Sequence, residues 1–222
     1  MTRRGRIIAA VVATLGLAGC ASSAPPVDDI PTGDGPLVAF YGDSYTLGTG
    51  ASDIRNRWST RISEERGWRE FNPSVNGLGF VNNRQDFDAE SFDLPSRIID
   101  AQPDIVFVTM GLNDNFSYDR AAEQIHDQID TDFARLAEGL PDARFIVVEP
   151  FWYTDERPES LAVISGWVED AAASIDADHI PGASRWIEGH PEWMASDGLH
   201  PNDDGYAEMT LRMDAELEEL GL

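Results

Sequence analysis

The 222-residue chain contains no lysine; its 16 basic side chains are all arginine, against 40 aspartates and glutamates, and the net charge is −24. So large an acidic excess argues against nucleic acid or an anionic membrane face as a partner, since both need cationic patches. It suits a well-solvated acidic surface in a soluble or salty setting. Cysteine is nearly absent as well: Cys20 stands alone, which rules out an intrachain disulfide. Long apolar runs are missing, and the run from Ile7 to Ala18 is too short to span a bilayer comfortably. There is no His-Glu-x-x-His, no cysteine cluster, no Walker loop and no G-x-G-x-x-G after a strand. Neither a metal nor an organic cofactor is implied.

What is present begins with "MTRRGRIIAAVVATLGLAGC", an arginine-bearing start, an apolar run and small residues before Cys20. This reads as a secretory signal over residues 1–19. The ending "LAGC" resembles the lipobox of bacterial lipoproteins. That resemblance implies cleavage before Cys20, lipidation of Cys20, and an extracytoplasmic protein whose contact with the cell membrane is through that lipid. The alternative for a lone cysteine is a buried structural thiol. Residues 20–36, rich in proline, serine, glycine and aspartate, read either as a flexible tether or as a plain junction. The folded domain is expected over 37–222.

Within it, "LVAFYG" (Leu37–Gly42), "DIVFVTMG" (Asp104–Gly111) and "RFIVVEP" (Arg144–Pro150) are continuous apolar runs, the mark of strands buried on both faces. Between them Tyr118–Gly139 has helical spacing, with Ala122, Ile125, Ile129, Phe133 and Leu136 on one stripe and Pro141 beyond it. Leu161–Ile175 and Asp203–Leu220 also read as helices. This βαβ rhythm predicts a single α/β domain with a mostly parallel sheet. Functional residues of such sheets gather at the carboxyl ends of strands. Here those ends carry "GDS", "GLND" and "EPFWY"; Phe151, Trp152 and Tyr153 read as a pocket wall or as ordinary packing.

Ser44, at the first of these ends, is either a turn residue or a nucleophile. A serine nucleophile needs a base, and the base an orienting group. Of the four histidines, His126 lies in the amphipathic helix and His179 at an expected helix–strand junction. His190 precedes a proline, as His200 does; His200 differs in sitting in a turn-rich loop just before the last helix, with Asp197 three residues upstream. The pair suits an Nδ1–H bonded to carboxylate, with Nε2 left free to accept a proton. The G-x-S-x-G elbow is not present, since residues 42–46 read Gly-Asp-Ser-Tyr-Thr.

Four blocks, "FYGDSYT", "NPSVNGLGF" (Asn72–Phe80), "GLND" (Gly111–Asp114) and "DGLHP", together resemble the SGNH, or GDSL-type, hydrolases across nearly all of the folded chain. The resemblance implies a three-layer α/β/α sandwich with a five-stranded parallel sheet of flavodoxin-like kind. It implies Ser44 as nucleophile, His200 as base and Asp197 as its orienter. The oxyanion donors would be the Ser44 amide, the Gly77 amide, with Gly79 as alternative, and the Asn113 side chain. Tyr45 stands where many members carry leucine or isoleucine, a change expected to alter the pocket wall rather than the chemistry. The expected activity is hydrolysis of carboxylic esters, with small-molecule or glycan esters as substrates. An acyltransferase on the same triad, or a binding protein on the same scaffold, are the alternatives. Arg84 and Trp58 are read as surface residues or substrate contacts.

Overall fold

The computed structural model describes residues 30–84 and 93–222. The signal segment and Cys20 lie outside the described residues, as do tether residues 20–29 and residues 85–92. Five strands, β1 (Leu37–Tyr41), β2 (Arg69–Phe71), β3 (Ile105–Val108), β4 (Arg144–Val148) and β5 (Asp178–Ile180), form one sheet in the order β2-β1-β3-β4-β5. Every neighbouring pair is parallel, with Tyr41 beside Val108 where β1 and β3 end together. Among the described residues α1 (Ser44–Leu47), α2 (Trp58–Arg66), α3 (Leu94–Ala101), α4 (Tyr118–Gly139) and α5 (Glu159–Ser174) lie between the strands, and α6 (Asp203–Glu219) follows β5.

Alternation along the strands builds two cores. Ala39, Tyr41, Val106, Val108 and Val147 face one way and meet Ile98 of α3, Ile129 and Phe133 of α4, and Val168 of α5. Val38, Phe40, Phe107, Ile146 and Val148 face the other way, against Trp58 and Ile62 of α2 and Met209 and Met213 of α6. This is why the three central strands read as unbroken apolar runs: apart from Arg144 at the start of β4, each residue is buried, whichever face it takes. Trp58 is fully buried at the centre of the second core, so it is neither a surface residue nor a substrate contact. A side chain of that size contributes about 2–3 kcal/mol through burial.

The expected helix at 118–139 is present, and its stripe of Ile125, Ile129, Phe133 and Leu136 is buried. The edge strands β2 and β5 are short and half polar, and the sequence pattern does not announce them. His179 sits inside β5 rather than at a junction before it. Strand order 2-1-3-4-5 reverses direction between β1 and β3, the place where doubly wound sheets open a crevice at their carboxyl ends. "GDS" and "GLND" both lie there.

Candidate active site

The turn after β1 is shaped by close approach. The hydroxyls of Thr46 and Thr109 meet at 2.6 Å, and a Cβ on Gly42 would come within 2.6 Å of both. Only glycine fits there. Asp43 then caps α1: its Oδ1 accepts from the Tyr45 amide at 3.0 Å, and Ser44 becomes the first helical residue. The first amides of a helix have no partner inside it. Among the described residues neither the Ser44 amide nor its hydroxyl makes a hydrogen bond.

The Asn113 side chain reaches the same point from the β3 end. Its Nδ2 donates to Asp43 Oδ2 at 3.1 Å and to the Leu78 carbonyl at 3.0 Å. Leu78 belongs to the "NPSVNGLGF" loop, held by Asp114, which is fully buried and accepts from the amides of Phe80, Val81 and Asn82 at 2.7, 2.9 and 3.1 Å. The two glycines of that loop now separate. The Gly79 amide donates to Asn82 at 2.9 Å, and a Cβ there would strike the Asp114 carboxylate at 2.5 Å. Gly77 has φ +72° and its amide makes no hydrogen bond among the described residues.

On the other side of the turn, His200 Nδ1 lies 2.7 Å from Asp197 Oδ2, and Asp197 Oδ1 accepts from the amides of Leu199 and His200 at 2.9 and 3.0 Å. Burial pushes the Asp197 carboxyl up, but the bonds from the His200 ring and the two amides outweigh it and hold the group at about 2. An ionised carboxylate can only accept, so the proton of this bond sits on Nδ1. The Tyr45 ring lies 6.1 Å from the His200 ring, and the Tyr45 hydroxyl donates to the Leu199 carbonyl at 2.7 Å. Tyr45 is buried and stacked on Phe151 at 5.7 Å, so the expectation of a substituted pocket wall gives way to a side chain bonded into the histidine loop.

The other histidines lie elsewhere. His126 stacks on Trp167, and His190 stacks on Trp193 and pairs with Glu192 at 2.8 Å. A carboxylate partner thus does not distinguish His200 from His190; the contact with Tyr45 does. Phe151 and Trp152 are buried, the packing alternative of the earlier reading. Arg84 makes an ion pair with the fully buried Asp132, whose Oδ2 also accepts from Tyr41 at 2.6 Å. A cavity of about 450 Å³ opens between α5 and the turn after β5, lined by Arg157, Ser165, His179 and Ser184, and includes none of the residues converging on Ser44.

Sequence reasoning assigned no role to Asp43 or Asp114, and read Tyr45 only as part of the pocket wall. Burial lifts the Asp43 carboxyl to about 7 against the bonds that favour its charged form. Asp43 and Asp114 lay inside quoted blocks, so an acidic residue that the serine or asparagine alone did not require was the available signal.

A parallel five-stranded α/β/α sandwich presenting a serine at the tip of its central β1 defines the SGNH class of hydrolase folds. The profile of the GDSL-like Lipase/Acylhydrolase family matches residues 40–208, and the chain belongs to that family; it is a carboxylic-ester hydrolase. It is 27% identical over 220 residues to the GDSL lipase Rv0518 of Mycobacterium tuberculosis, covering 93% of each chain. Its fold is similar to that of the psychrotrophic esterase EstA from Pseudoalteromonas sp. (14% identity, TM-score 0.62, 83% of this chain and 98% of that one). It is also similar to the acetylxylan esterase Axe2 from Geobacillus stearothermophilus (17% identity, TM-score 0.63, 86% and 96%).

Proposed function

We propose that the protein is a secreted, lipid-anchored serine esterase acting on short acyl or acetyl esters of glycans or lipids through Ser44, His200 and Asp197. The observation that supports the catalytic part is a serine at the strand tip whose hydroxyl and amide are unengaged among the described residues, with Asn113 bonded to the preceding Asp43 and the His200 loop bonded to the following Tyr45. In a folded protein buried amides are almost always paired, and one left open on the buried Ser44 suits a developing oxyanion.

The chemistry follows from the positions. Ser44 Oγ attacks the ester carbonyl carbon while His200 Nε2 takes its proton. The imidazolium so formed is held by the ionised Asp197 at Nδ1. Charge on the former carbonyl oxygen is met by the Ser44 and Gly77 amides and by Asn113 Nδ2. The C–O bond to the alcohol breaks, and the alcohol leaves with the proton from His200. A water, deprotonated by His200, then attacks the acyl-enzyme; the acid departs and Ser44 regains its proton. One oxyanion donor is worth roughly 2.7–4 kcal/mol of barrier.

Short esters of glycans or lipids are the substrates an exported, surface-held enzyme would meet. Export and anchoring rest on the signal-like residues 1–19 and on Cys20. Hydrolysis of p-nitrophenyl acetate by the wild type and by Ser44→Ala tests the chemistry: a loss of about a thousandfold or more is expected, and equal rates would overturn it. Fractionation of cells expressing Cys20→Ser tests the anchor: the variant is expected in the soluble fraction, and retention on membranes would refute lipidation.

A further inference from the structure

We infer that Tyr45 is a positioning residue that sets the direction of His200, by gripping the peptide unit that precedes it. The inference rests on the reading of Ser44 and His200 as nucleophile and base.

The carbonyl of Leu199 and the amide of His200 are the two polar edges of a single peptide plane. The carbonyl edge accepts from the Tyr45 hydroxyl at 2.7 Å, and the amide edge donates to Asp197 Oδ1 at 3.0 Å. A plane held at both edges cannot rotate, so the torsion leading into His200, and with it the Cα–Cβ direction, is set from outside the loop. Asp197 belongs to the same loop and could hold the imidazole while the whole loop drifted. Tyr45 does not: it follows Ser44 directly, and its own amide is fixed by Asp43 at 3.0 Å. The residues read as nucleophile and base are thereby joined through two peptide links, Ser44–Tyr45 and Leu199–His200, and one hydrogen bond.

The surroundings leave the phenol no other task. It is 1% exposed, and its ring is stacked on Phe151. Burial, with nearby Tyr206 and Asp43 adding to it, pushes its pKa well above the ordinary value, so it remains a donor at any working pH. A second tyrosine makes the parallel contact from the opposite direction. Tyr206 of α6 donates to the Thr49 carbonyl at 2.8 Å, while Ser52 donates its amide to Asp203 at 2.8 Å. Gly50 allows the two segments to touch: a Cβ there would meet the Pro201 carbonyl at 2.4 Å and His200 Cβ at 3.0 Å. Of these contacts, only that of Tyr45 reaches the peptide next to the base.

The test is Tyr45→Phe, which removes one oxygen, assayed on p-nitrophenyl acetate and p-nitrophenyl butyrate with circular dichroism as the check on folding. Misplacing a catalytic group by an ångström is worth up to about a hundredfold. A fall in kcat of about 10- to 100-fold is expected, equal for both esters, with KM within about twofold. In a His200→Ala background Tyr45→Phe should cause no further loss, because its effect passes through His200. p-Aminophenylalanine at position 45, which returns a donor to the para position, should restore most of kcat and serves as the second variant. Wild-type kcat in Tyr45→Phe, a change in KM that depends on acyl length, or an undiminished further loss in the His200→Ala background would overturn the inference; the last two would make Tyr45 a pocket wall or a general packing residue. Activity retained in both Ser44→Ala and His200→Ala would refute the catalytic reading itself, and the inference with it.

Discussion

Two glycines two residues apart do opposite jobs at the candidate site. Gly79 is a glycine because the Asp114 carboxylate sits where its Cβ would be, and that carboxylate organises three amides of the loop. Gly77 is a glycine because its backbone is left-handed, and its nearest neighbour is only the end of the Asn83 side chain at 3.1 Å. Gly79→Ala is therefore expected to lower stability by about 3 kcal/mol through overpacking. Gly77→Ala should lower it by only about 1–2 kcal/mol, the strain of a left-handed alanine, yet reduce kcat more. Chemical denaturation and p-nitrophenyl acetate turnover, measured on both variants, separate the two roles. A kcat loss larger in folded Gly79→Ala than in Gly77→Ala would reverse the assignment.

At the scale of elements, α6 and the histidine loop share one joint. Asn202 caps α6, accepting from the amides of Asp204 and Gly205 at 3.0 Å, while its Nδ2 donates to the Glu192 and Met194 carbonyls. It follows His200 by two residues, so loosening the cap loosens the base. Asn202→Ala should cost about 1–2 kcal/mol of stability and lower kcat several-fold with KM little changed; thermal melting and steady-state kinetics check both. Cap and catalytic loop are adjacent in sequence, and that is why "SDGLHPN" could be read without a structure. The central strands were legible for a similar reason, since double burial writes a continuous apolar run. Strands β2 (Arg69–Phe71) and β5 (Asp178–Ile180) were not, because an edge strand of three residues has only one neighbour and half its side chains in water. Within the site, Ser44, Asn113, Asp197 and His200 were legible as residue types in order. The choice of Gly77 over Gly79 was not, as it depends on which amide finds a partner across the loop. Nor was Tyr45, whose partner lies 154 positions away.

For the whole molecule, the absence of lysine has a structural counterpart. Arginines are drawn into ion pairs, Arg57 with Glu70, Arg84 with Asp132, Arg135 with Asp93, Arg144 with Asp178, leaving the acidic excess unneutralised. Mutual repulsion of that excess destabilises the compact state and is screened by salt. Asp43 acts in the same direction by a different route. Its carboxyl titrates at about 7 in the fold against an ordinary 3.8, so between those values the folded state holds a proton that the unfolded state has released. The contribution of Asp43 is thus full below about pH 4 and declines as pH rises toward 7, by at most about 1.4 kcal/mol per pH unit. The melting temperature is expected to fall from pH 5 to pH 8 in dilute buffer and to recover in part in 0.5 M salt, where the Debye length is only about 4 Å. The part that does not recover should flatten in Asp43→Asn. Full recovery by salt would assign the whole slope to the surface.

In the mechanism proposed above, Asn113 would enter the reaction with both of its N–H bonds already taken, one by Asp43 and one by the Leu78 carbonyl. An arriving ester has to displace Leu78 to reach it. A resting ester oxygen is a neutral acceptor, much like the carbonyl it replaces, and the exchange gains little. An oxyanion makes a charge-assisted bond about twice as strong, and for it the exchange is favourable. The Leu78 carbonyl is in effect a placeholder matched to the substrate and outmatched by the intermediate. On that proposal Asn113 answers to the transition state and ignores the ground state, so Asn113→Ala is expected to lower kcat and leave KM little changed in steady-state kinetics.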